Sequence, residues 1–135
     1  MVDKNKQTWA GCPIRFAMKN FGDKWSFLIV RDLMFKNKKY YQDFLDAGEG
    51  ISTNILASRL VELENNGVIR KVTDPEKKSR YIYSLTQKGK DLLPVMFAMI
   101  NWAEIYDPVT EVPKDFIEKL RNDPEVLSNE IMENL

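Results

Sequence analysis

Histidine is absent from all 135 residues, and Cys12 is the only cysteine. The first absence removes the commonest general base, the usual catalytic triads and most zinc sites. A lone cysteine forms no internal disulfide, as expected of a reducing compartment. Long apolar runs are missing too. The longest, Leu92–Ile100, is nine residues, contains Pro94 and falls short of a bilayer. Met1–Gly11 is polar and lacks the apolar centre of a secretory signal. No glycine-rich loop suited to phosphate and no cluster of metal ligands stands out. These gaps argue against an enzyme, a metal, a cofactor or a membrane protein, and the expected location is the cytoplasm.

What is present is a chain suited to one domain, with 44% apolar residues, enough for a core. Net charge is zero but unevenly spread. Residues 12–90 hold 15 Lys/Arg against 9 Asp/Glu, whereas residues 91–135 hold 3 against 10. A basic region beside an acidic tail points to an anionic partner for the former. Chance clustering of solvated charge is the alternative.

The periodicity predicts a mainly helical chain with a small β-hairpin. Met1–Ala10 reads as a loose or partner-docked lead. Pro13 suits the first position of a helix that Gly22 ends. Asp23 caps a second helix, apolar on nearly every side from Trp25 to Met34 and so central. Lys36-Asn37-Lys38-Lys39 is a basic turn. Tyr41, Phe44 and Leu45 predict a short third helix, and Ala47-Gly48-Glu49-Gly50 a turn. Ser52 caps a fourth helix, which Asn66-Gly67 stops. Runs at Val68–Val72 and Tyr81–Leu85 read as two strands. Thr86 caps a long fifth helix to about Tyr106, bent or interrupted at Pro94. Two short helices follow, near Pro113–Arg121 and Pro124–Asn134.

Helix, glycine turn, helix and basic hairpin form the layout of a winged helix-turn-helix. In the fourth helix Leu56, Leu60 and Leu63 fall within about 60° of one another and define the buried stripe. Asn54, Ala57, Ser58, Val61 and Asn65 point away. That outward face is short and polar near its start, with nothing bulky to block base edges. Asn can bond adenine in two places, Ser is adaptable, and Ala or Val can touch a thymine methyl. Ser52, Thr53 and Arg59 flank it. An ordinary solvated helix shows similar residues; the neighbouring motifs favour DNA. On the hairpin, Lys77, Lys78 and Arg80 are expected to grip phosphates. Lysines at a hairpin tip also protect an edge strand. Lys38 and Lys39 are further candidates for flanking backbone, or else a solvated turn.

Cys12-Pro13, Gly22-Asp23-Lys24-Trp25, Tyr41-Gln42-Asp43-Phe44 and Gly50-Ile51-Ser52 closely resemble the HxlR-type winged helix-turn-helix regulators. The likeness continues in order through Glu62-Leu63-Glu64, Gly67-Val68-Ile69, Tyr83-Ser84-Leu85-Thr86, Gly89 and Leu93-Pro94, covering roughly residues 12–104. It implies a prokaryotic transcription regulator that binds double-stranded operator DNA as a homodimer, built from the first helix and the C-terminal helices. It further implies that some relatives sense oxidants or electrophiles. Residues 1–107 are expected to hold the DNA-binding domain with its dimerisation helices, and 108–135 an acidic helical extension of the same domain.

Two features bear on assembly and control. Apolar residues of the fifth helix span about 220°, far beyond the stripe that one-sided packing uses. A second subunit, or the C-terminal segments folding back, or both, would cover it. Cys12 at a helix start, near Arg15, is a candidate redox sensor, since the helix dipole favours thiolate; simple burial is the alternative. A cluster of Trp25, Met96, Phe97 and Trp102 reads more readily as core than as an effector pocket. A winged-helix protein-interaction module, using the apolar fifth helix and acidic tail, is the competing function.

Overall fold

The second helix, α2 (Lys24–Phe35), is the hub of the computed structural model, which describes residues 11–135. The expected lead over Met1–Ala10 lies outside the described residues. Asp23 starts α2 as anticipated: its Oδ1 accepts from the amides of Trp25 (2.7 Å) and Ser26 (3.1 Å). Val30 is fully buried, with Ile29, Leu33 and Met34 beside it. α1 (Pro13–Phe21) and α4 (Thr53–Asn65) pack on α2, and α3 (Tyr41–Leu45) precedes α4 across the glycine turn. Strands β1 (Ile69–Thr73) and β2 (Tyr81–Leu85) pair antiparallel, Ile69 opposite Leu85 and Thr73 opposite Tyr81. Mainly helical, with one two-stranded hairpin, the architecture is a winged helix-turn-helix.

Helix α4 turns its leucine stripe inward. Leu56 and Leu63 are fully buried and Leu60 nearly so, while Gly67 ends the helix at φ +74°, the left-handed stop that glycine permits. Gly22 works differently. It closes α1 in a right-handed conformation, and a Cβ there would lie 2.6 Å from the Cα of Met18.

Of the two outcomes expected for the long fifth helix at Pro94, the structure has the interruption, which leaves two helices. α5 (Gln87–Lys90) ends before Asp91, and α6 (Leu93–Tyr106) begins anew with Pro94 in its first turn. The proline ring would meet the carbonyl four residues back, that of Lys90, so the helix restarts rather than bends. Gly89 sits on the hairpin's base so closely that a Cβ would lie 2.2 Å from the Val68 carbonyl. The Thr86 hydroxyl donates to the Gly67 carbonyl (2.5 Å) and accepts from the Gly89 amide (3.2 Å), locking that approach.

α7 (Lys114–Asn122) and α8 (Pro124–Glu133) fold back over one side of α6. Phe116 stands edge-on to Phe35 (6.3 Å, 82°) and to Phe97 (6.4 Å, 77°), filling the angle between α2 and α6. Leu93, Met96 and Phe97 are therefore buried. Val95, Met99, Trp102, Ile105 and Tyr106 remain exposed, Trp102 at 65% and Tyr106 at 68%. Ile14, Phe16 and Met18 of α1 are exposed as well. No helix among the described residues is long and apolar enough to cross a membrane.

Candidate nucleic-acid interface

The N-terminal half of α4 presents Ser52, Thr53, Asn54, Ala57 and Ser58 to solvent. Their short side chains follow from the helical period: the leucines occupy the inner face, leaving these positions outside. Ser52 is partly committed, because its Oγ accepts from the Ile55 amide (3.2 Å) and caps the helix. Tyr41 of α3 donates its hydroxyl to the Thr53 carbonyl (3.3 Å), tying the two helices of the motif together.

Arg59, expected to reach outward, is turned back. Its Nε lies 3.1 Å from Asp23 Oδ1, its Nη1 lies 3.6 Å from Glu62, and only 26% of the side chain is exposed. The guanidinium thus bridges α4 to the start of α2. Burial pushes the Asp23 carboxyl up, but the Ser26 amide, Arg59 and the Trp25 amide outweigh it and hold it below the usual carboxylate range. Sequence alone gave no sign of this pairing, which depends on α4 crossing the α1–α2 turn.

The wing loop runs from Asp74 to Arg80. Lys77 and Lys78 lie exposed on it. Arg80 is held differently. Its Nε (2.9 Å) and Nη2 (2.5 Å) both donate to Asp74 Oδ2, and its guanidinium carbon lies 3.9 Å from the Tyr40 ring centre. Arg80, expected to grip phosphate, is thus paired with Asp74 inside the subunit while 37% of its side chain stays exposed. Asp74, buried in a hairpin loop, was missed in the sequence reading. The signal available was the Asp-Pro start of a turn closed by an arginine.

Lys38 and Lys39 lie beside the wing. Lys38 is half-buried and its Nζ points to the Asp43 carbonyl (3.4 Å), whereas the Lys39 side chain is exposed. The Lys39 carbonyl accepts from the Tyr83 amide (2.8 Å), which pins β2 to the segment leading into α3. Thr53, Asn54, Ala57, Ser58, Lys39, Lys77 and Lys78 are therefore exposed, whereas Arg59 and Arg80 are engaged in ion pairs within the subunit.

Cys12 is half-buried at the start of α1, where its carbonyl accepts from the Phe16 amide (3.0 Å). The suggested cluster of Trp25, Met96, Phe97 and Trp102 is not one pocket: Met96 and Phe97 are core, and Trp102 faces solvent. A groove of about 1140 Å³ does lie between α2, α6 and the last two helices, lined by Phe27, Met34, Met96, Met99, Phe116 and Ile131 among others. Among the described residues no three acidic, cysteine or histidine side chains gather as a metal site would require.

Known proteins share this arrangement. The model of the HxlR-like helix-turn-helix family matches residues 20–111. The HTH-type transcriptional regulator sll1512 of Synechocystis sp. is 41% identical over 88 residues, covering 65% of this chain and 64% of that relative. PA1607, whose crystal structure is described as that of a candidate transcription factor, superposes with a TM-score of 0.68. It is 36% identical, across 78% of this chain and 73% of that one. The redox regulator HypR in its oxidized form gives a TM-score of 0.64 at 28% identity, covering 73% of this chain and all (100%) of HypR. With motif order, wing geometry and these matches in agreement, the chain belongs to the HxlR-like helix-turn-helix family of transcription regulators.

Proposed function

We propose that this chain is a homodimeric regulator that binds operator DNA in the cytoplasm and acts by binding rather than turnover. The observation that supports this reading is the exposed, short-side-chain start of α4, followed in the chain by a hairpin whose loop exposes Lys77 and Lys78. Thr53, Asn54, Ala57 and Ser58 read base edges in the major groove, while Lys77, Lys78 and Lys39 neutralise phosphates. Support for the dimer comes from the exposed apolar faces of α1 and α6, which a second copy would cover and which would set two reading helices about one DNA turn apart. The relatives' names, HTH-type transcriptional regulators, agree with it.

Cys12 supplies a second element. Its thiol opens α1, whose Ile14, Phe16 and Met18 belong to the face assigned to the dimer. Oxidation there would alter the relation between the two reading helices, and the fold's likeness to a protein described as a redox regulator supports the idea. Cys12→Ser should leave DNA affinity unchanged in reductant and abolish any response to diamide.

The test of the main reading is titration of labelled duplexes covering the region upstream of the protein's own gene, against random duplex of equal length. A specific complex that weakens steeply with salt is expected. Binding that is equally weak on both duplexes, with a protein partner captured through α6, would favour the interaction-module alternative.

A further inference from the structure

We propose that Asp74, Arg80 and Tyr40 form a staple that clamps the wing to the entry of the helix-turn-helix and so positions Lys77 and Lys78; its consequence for DNA rests on the function proposed above. None of the three is offered as a DNA ligand.

The geometry links the loop to the motif in an unbroken chain of contacts. Tyr40 is fixed first, because Asp43 Oδ2 accepts from its amide (3.0 Å) and from that of Lys39 (3.2 Å). The Arg80 guanidinium then sits over the Tyr40 ring, 3.9 Å from its centre, and directs both donors to Asp74. Asp74 has only 3% of its side chain exposed, and its other oxygen accepts from the Glu76 amide (2.9 Å). That amide bond and the Arg80 contact hold the Asp74 carboxyl below the usual carboxylate range. The loop is also closed along its backbone: Asp74 amide to Arg80 carbonyl (2.8 Å), Arg80 amide to Lys77 carbonyl (2.9 Å) and Lys77 amide to Asp74 carbonyl (3.3 Å).

A lysine-tipped hairpin left loose would lose conformational freedom on meeting DNA. The staple removes that freedom beforehand, because a cation–π contact and two N–H donors on one carboxylate oxygen fix a guanidinium in orientation as well as in place. Lys77 and Lys78 form no ion pair among the described residues, so their charge stays available. Every positive group in this loop that carries a fixed intramolecular role is Arg80, and the tip keeps two unengaged lysines.

The proposal predicts the opposite sign from simple electrostatics. Removing the negative charge of Asp74 should tighten DNA binding if the residue only lowers local potential. As part of the staple its removal should weaken binding instead. In the full chain, Asp74→Ala and Tyr40→Leu are each expected to reduce affinity for a short random-sequence duplex by about tenfold at moderate salt and to flatten the salt slope by up to two units. Tyr40→Phe, which keeps the ring, should bind like the parent. Arg80→Lys, which keeps the charge but loses the two guanidinium donors, should resemble Tyr40→Leu. Tighter binding by Asp74→Ala, or parental binding by Arg80→Lys, overturns the proposal.

Amide hydrogen exchange without DNA provides the second arm. Glu76, Lys77 and Arg80 should lose protection in Asp74→Ala and Tyr40→Leu, while α4 and α6 retain theirs. Unchanged protection at those three amides overturns the staple. A parent protein that binds no duplex would refute the proposed function, and exchange would still decide the staple.

Discussion

The outward faces of α4 and α6 are both exposed in the single chain and have opposite chemistry. α4 shows Asn54, Ala57 and Ser58; α6 shows Val95, Met99, Trp102, Ile105 and Tyr106. The α4 face is cheap to hydrate and shallow, so it sits in water at little cost and admits a flat edge. The α6 face leaves large apolar area in water, at about 1.5–3 kcal/mol per fully coverable side chain. A contiguous patch of that kind marks an interaction surface. Exposure alone therefore says little about role, and the side chains that bear it decide.

The largest break in this comparison should come from α6. Replacing Met99 and Trp102 together by Glu is expected to convert the proposed dimer to monomer in sedimentation equilibrium. Operator affinity should fall by about a hundredfold or more, since two linked half-sites become one. A variant that still sediments as a dimer would remove α6 from the interface. Within α4 the two faces can be set against each other. Leu56→Ala should lower unfolding free energy by about 2–5 kcal/mol in urea titration, whereas Ser58→Ala, on the opposite face, should stay within about 0.5 kcal/mol.

Asn54 sharpens the contrast further, because there the expected loss concerns recognition and not folding. Asn54→Ala should weaken operator binding by about 1–3 kcal/mol and leave random-duplex binding nearly intact. Equal losses on the two duplexes, measured by fluorescence anisotropy, would take Asn54 out of base reading.

Much of this was legible in the sequence because local rules set it. The Leu56, Leu60, Leu63 stripe follows from helical periodicity. The Asp23 and Ser52 caps follow from the chemistry of free amides, and β2 from the alternation of Tyr81, Tyr83 and Leu85. β1 came out one residue late, at Ile69–Thr73, since a strand's ends depend on its partner's register. What could not be read were outcomes fixed by distant chain. Arg59 and Arg80 look like free cations until α4 reaches Asp23 and the hairpin closes on Asp74. The width of α6's apolar surface predicted two covers, but only the return of Phe116, Ile117 and Leu127 shows which half the chain covers itself.

A smaller expected effect tests why Arg59 belongs with the buried side of the comparison and not with the reading face. Asp23 titrates below its ordinary range in the folded chain, so its contribution to stability is fully present above the unfolded carboxyl's pKa. It is lost as pH falls through the lowered folded value. Asp23→Asn keeps a good helix cap but removes the charge facing Arg59. The pair is partly solvated, so stability near neutral pH should drop by no more than about 1 kcal/mol. The urea midpoint should also decline less steeply on acidification than in the parent. Arg59, released from its partner, is then free to turn toward DNA, and random-duplex affinity should rise slightly with one added unit of salt slope. A fall in affinity would mean that the Asp23–Arg59 bridge holds α4 at the angle its reading face requires.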